Sequence, residues 1–85
     1  PLEEIIRPIE GKVFECLVDC NTAEYLIANY PIINVREEKE KTFLRLVAEK
    51  APCKEAKAVT AVLEDLYLYY FNKEANKSEQ LYGIN

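Results

Sequence analysis

Apolar positions along this chain recur mostly at helical spacing. In residues 12–20, Phe14, Leu17 and Val18 share a face, Val13, Cys16 and Cys20 lie beside it, and Glu15 and Asp19 fall opposite. In residues 35–50, Phe43, Leu46 and Val47 form a stripe that Leu44 widens. The turns before it, "VREEKEKT", interleave charges in the manner of a solvated helix. No segment alternates strictly between apolar and polar, so strands find little support. "PIINV" is the one plausible short extended piece, with Ile32 and Ile33 tucking a loop against the core.

Boundary signals agree with helices. "NTAE", "NVRE" and "NKSE" place Asn21, Asn34 and Asn76 three residues before a Glu. An Asn side chain there accepts a hydrogen bond from the first turn, and the Glu reaches back to the cap. Pro8 and Pro31 end the segments before them, and Pro52 suits a first helical turn. Gly11 offers a turn and Gly83 a C-terminal stop. These marks predict helices over 2–7, 12–20, 22–30, 35–50, 53–74 and 77–82. The fold class expected is all-α: a compact single-domain bundle of five to six helices over 1–85, dominated by an antiparallel pair, 35–50 and 53–74, joined at Ala51–Pro52.

The stretch "VLEDLYLYYFNKE", residues 62–74, complicates that bundle. On a wheel at about 100° per residue, Val59, Val62, Leu63, Leu66 and Tyr70 fall on one face, flanked by Tyr67 and Tyr69. That face reads as core. Leu68 falls opposite, with Phe71 near it on the side of Lys57, Glu64 and Asp65. A helix apolar most of the way round is buried on more than one side. The second side is covered either by the tail, through Leu81, Tyr82 and Ile84, or by another molecule. The candidate contact residues are Leu68, Phe71, Glu64, Tyr67 and Tyr82.

Composition narrows the functional classes. The chain has 85 residues, 49% of them hydrophobic, and only two glycines, which suits one folded domain. No apolar run is long enough to span a bilayer. Fifteen acidic and 11 basic residues give a net charge of −4, which disfavours the nucleic-acid backbone as a partner. The charge is uneven: the first third is acidic, and Arg36, Lys39, Lys41, Arg45, Lys50, Lys54 and Lys57 gather in the middle. Three cysteines, an odd number, point to reduced thiols and a reducing, cytoplasmic setting.

Candidate chemistry is sparse. There is no His, which removes the commonest general base and every imidazole ligand. Cys16 and Cys20 would share a helical face and Cys53 could approach them, but three thiols fall short of a usual zinc site, so core packing is the preferred reading. The adjacent pairs Glu3/Glu4, Glu37/Glu38 and Glu64/Asp65 read as solvated surface. Two glycines build no phosphate loop, so no cofactor is inferred. A helix-turn-helix over 22–46 would present Arg36, Lys39, Lys41 and Arg45 to DNA, but Glu37, Glu38 and Glu40 are threaded through the same turns.

The function expected is therefore a non-enzymatic protein–protein interaction or oligomerisation module. Its partner is another protein or a second copy, forming a dimer, with no small-molecule substrate. A small nucleic-acid-binding regulator using residues 36–57 is the alternative, and a thiol or metal sensor a second one.

Overall fold

The computed structural model describes residues 1–81, with side chains to residue 72. It overturns the all-α bundle: among the described residues the centre of the molecule is a four-stranded antiparallel sheet. The elements are α1 (Leu2–Ile5), a 3-10 turn (Arg7–Ile9), β1 (Val13–Val18), α2 (Cys20–Asn29), β2 (Ile32–Glu38), β3 (Lys41–Val47), β4 (Lys57–Ala58) and α3 (Leu63–Leu81). The strand order is β2-β3-β1-β4.

Within the expected 12–20 helix, residues 13–18 are instead a strand with one face covered throughout and the other covered at its Val13 end. β1 pairs with β3 from Val13↔Val47 to Val18↔Thr42. Its even positions, Phe14, Cys16 and Val18, join Leu44 and Leu46 of β3 and pack against Ala23 and Leu26 of α2. On the opposite face Val13 joins Val47, Ile33, Ile9 and Leu66 of α3. Further along, that second face opens, with Glu15 partly exposed and Leu17 42% exposed; apolar residues on both faces make the run resemble a helical stripe. β3, "KTFLRLV", is central in the same way, with Leu44 and Leu46 fully buried.

The segment expected as one helix, 35–50, is a hairpin. β2 and β3 run together to Glu38↔Lys41, leaving Lys39 and Glu40 as the turn. Lys39 takes φ 59°, the left-handed region usually given to Gly or Asn in such turns. An irregularity between Ile32 and Asn34 places two β2 residues opposite Leu46. Ile32 then packs toward α2 and Ile33 toward α3. Asn34 thus lies in a strand and caps nothing. The 53–74 helix is also corrected: its first part is loop and β4, and α3 starts only at Leu63.

α2 replaces the expected 22–30 helix and begins earlier. Its cap is Asp19, whose carboxylate accepts a hydrogen bond from the Thr22 N–H at 2.8 Å; Asn21 lies inside the helix. The cap contact holds the Asp19 carboxyl below the usual carboxylate range. Asn76 lies within α3, so no helix starts after it. Tyr82, the Gly83 stop and the Ile84 tail contact lie outside the described residues.

Candidate functional site: the outer face of α3

The start of α3 is fixed by one carboxylate. Asp65, 3% exposed, accepts from the Val62 N–H at 2.9 Å, the acidic half of a capping box. The same carboxylate is gripped by Arg45 of β3, through Nε at 2.8 Å and Nη2 at 2.6 Å. Arg45 also donates to Glu15, its cross-strand neighbour on β1, and to the Thr60 carbonyl at 3.2 Å. Burial alone pushes the Asp65 carboxyl up, but the Arg45 hydrogen bonds, the Val62 cap and the guanidinium charge outweigh it, so the group titrates below its ordinary range. The Arg45 guanidinium is held above its ordinary value, chiefly by its hydrogen bond to Asp65. Asp65 is therefore a buried anchor, where adjacency to Glu64 had suggested solvated surface.

Two turns on, the Asn72 amide donates to the Ile32 carbonyl at 2.7 Å. Asp65, Tyr69 and Asn72 follow the i, i+4, i+7 spacing of one helical face. That face meets the sheet, with Leu66 buried on one flank and Leu68 half-buried on the other.

The opposite face of α3 is apolar and exposed. Leu63, Tyr67, Tyr70 and Phe71 are 52%, 68%, 47% and 59% exposed. The Tyr67 and Phe71 rings stack at 6.3 Å with planes 10° apart. With Glu64 and the edge of Leu66 they line an open groove of about 850 Å³.

The structure brings Glu64, Tyr67 and Phe71 together on this face and turns Leu68 the other way, against the sheet. Tyr82 lies outside the described residues. Leu63 and Tyr70, read as core, are outward. The one signal for this orientation is the polar pair Asp65 and Asn72 at seven-residue spacing, and it identifies the buried side only once Arg45 is known to lie beneath it.

The other candidate groups are dispersed. Cys16 is buried under α2 with Cys53 half-buried against the same cluster, while Cys20 is exposed at the start of α2. Burial first, then the neighbouring Cys53, pushes the Cys16 thiol up to about 11. Among the described residues no three or more Cys, Asp or Glu side chains gather as a metal site. The helix-turn-helix loses its reading helix to the hairpin. Arg36 there pairs with Glu38 at 2.7 Å and lies 4.3 Å over the Phe43 ring. Among the described residues no helix is long and apolar enough to cross a membrane. Compared with protein-family models, curated sequences and solved structures, the chain matches none.

Proposed function

We propose that the domain is a non-enzymatic protein-interaction module that docks through the outer face of α3. One observation carries this reading: α3 turns Asp65 and Asn72 toward the sheet and Leu63, Tyr67, Tyr70 and Phe71 toward solvent. Aromatic residues are enriched in interface cores, where large rings fill pockets. At ~200 Å² per ring and the exposed fractions above, the three rings offer about 350 Å² and Leu63 about 100 Å² more, roughly 450 Å² of contact surface. Covering it contributes on the order of 11 kcal/mol before the costs of association. The nucleic-acid alternative is weakened because Arg45 is sequestered by Glu15 and Asp65 and Arg36 by Glu38 and Phe43.

The test is site-specific photo-crosslinking in the producing cell, with a benzophenone side chain at Tyr67 or Phe71 and, as control, at the exposed Lys50. A discrete adduct, identified by mass spectrometry, is expected from the α3 positions alone and should vanish on Leu63→Glu. Equal adducts from Lys50, or none from α3, would refute the reading.

A further inference from the structure

We infer that Cys53 and Cys16 are a reversible redox pair: hydrogen peroxide oxidises the accessible sulfur of Cys53, and the buried sulfur of Cys16 then closes a disulfide on it. This stands apart from the interaction reading of α3 and goes beyond it.

The backbone brings the two residues together from distant parts of the chain. β4 pairs with β1 at Phe14↔Ala58 and Glu15↔Lys57. One step further along that register Ala56 comes beside Cys16, and Ala56 packs against the cluster under α2 that holds Cys16. The Ala56 N–H donates to the Cys53 carbonyl at 3.1 Å. That turn folds Cys53 back over Ala56 and against the same cluster. The two sulfurs are neighbours, near enough for Cys53 to act on the Cys16 thiol by charge and by hydrogen bonding. The third thiol, Cys20, is exposed at the start of α2, and its own contact is with Asn21.

Burial divides the labour between them. Cys16 is 4% exposed, while Cys53, in the connection between β3 and β4, is half-buried and within reach of a small oxidant. The thiolate is the reactive form of cysteine. Burial first, then the charge and hydrogen bonding of the Cys53 sulfur, keep Cys16 as the thiol in the reduced protein. Cys53 therefore reacts first. Its thiolate attacks one peroxide oxygen and the O–O bond breaks. The hydroxide released takes up the proton that Cys53 gave up, so Cys53 becomes a sulfenic acid and one water leaves. The negative charge beside Cys16 is then gone, and Cys16 loses its proton and attacks the Cys53 sulfur. The S–S bond forms, the S–O bond breaks, and the departing hydroxide carries that proton away as a second water. Two thiols and one hydrogen peroxide become a disulfide and two waters, with two electrons passing from sulfur to oxygen. The bond ties the 48–56 connection to β1 beyond the end of β4.

The experiment treats the full chain carrying Cys20→Ser with stoichiometric hydrogen peroxide and maps its peptides, unreduced, by mass spectrometry. A Cys16–Cys53 link within one chain is expected, forming at a rate independent of protein concentration. The thermal midpoint should rise by roughly 10 °C and return on adding dithiothreitol. Cys53→Ser should leave Cys16 unoxidised. Cys16→Ala should leave Cys53 as a sulfenic acid that dimedone traps in far greater yield than in the parent chain. If Cys16→Ala fails to fold, the peptide maps of the parent and of Cys53→Ser carry the test. Over-oxidation of Cys53 beside a free Cys16, links between chains alone, or oxidation of Cys16 in the Cys53→Ser chain would each overturn the proposal.

Discussion

Asp65→Asn isolates the anchor that decides which way α3 faces. The substitution keeps the shape of the side chain, and its carbonyl oxygen can still accept from the Val62 N–H. It removes the charge that Arg45 grips at 2.6 and 2.8 Å, and the new amide meets the guanidinium donor to donor. Breaking a buried ion pair by changing one partner costs about 3–5 kcal/mol. Arg45 keeps Glu15 and the Thr60 carbonyl, and its side chain is 18% exposed, so the lower end, about 3 kcal/mol, applies here. For a domain holding ~5–15 kcal/mol that is a large share, readable in urea melts as a drop in midpoint at unchanged slope. The pH dependence gives a second signature. The folded Asp65 carboxyl titrates below its unfolded value, so its contribution is complete above the unfolded pKa of about 4 and is lost as pH falls through the folded one. The wild type should lose this increment below about pH 4, and Asp65→Asn should lack that part of the acid limb. Adding Arg45→Met to Asp65→Asn should recover part of the loss, because no cation is then left short of a partner. A loss under ~1 kcal/mol with an unchanged acid limb would refute the reasoning and place the pair among screened surface contacts.

Four further outcomes test other elements. Asp19→Ala should lower the thermal midpoint through loss of the α2 cap, whereas Asn34→Ala, exposed in β2, should leave it nearly unchanged. Lys39→Asn should gain about 0.5 kcal/mol, because Asn tolerates the left-handed φ of the β2–β3 turn better than Lys. Leu68→Asp should destabilise the isolated chain by ~1–3 kcal/mol in urea, since a charge enters the α3–sheet contact, with Phe71→Asp close to silent in the same assay. Thiol labelling at pH 8 should modify Cys20 first and Cys16 last. The raised Cys16 pKa also predicts stability that is complete below about pH 9 and lost between there and about 11, as only the unfolded thiol ionises.

The helices were partly legible in the sequence, and the sheet was hidden by its own burial. α2 was placed by the "NTAE" pattern at its start and Pro31 at its end, and it came out two residues late because the cap is Asp19 and Asn21 lies inside the helix. β1 and β3 were not, because "VFECLV" and "TFLRLV" carry apolar residues on both faces, with Val13 and Val47 buried beside α3 and Leu17 and Phe43 partly outside, so the apolar pattern loses its period of two. Of the single charges inside them, Glu15 was read as the polar side of a helix and Arg45 as one of the cations a reading helix would present to DNA. Those two residues are a cross-strand pair that needs a third group to complete it. The hairpin was concealed by Lys39 and Glu40, since a turn without Gly or Asn gives no local warning. Asn34 and Asn76 show that the capping pattern occurs readily inside a strand and inside a helix.

The apolar surplus of α3 was visible in "LYLYYF", but its direction was not, and the reason is energetic. Rotating α3 by half a turn would bury Leu63, Tyr67, Tyr70 and Phe71 and expose Leu66, Leu68 and Tyr69 in exchange. One set of large apolar side chains replaces another, so the hydrophobic terms nearly cancel. The polar terms do not. The rotation would carry Asp65 into solvent and leave Arg45, on a central strand, with only Glu15 and a carbonyl. It would also strip Asn72 from the Ile32 carbonyl. At about 3 kcal/mol for the ion pair and about 1 for the hydrogen bond, these contacts outweigh what remains of the apolar difference. On a helix apolar all round, the polar anchors choose the inner face, and the aromatic side left outside is the one available to a partner.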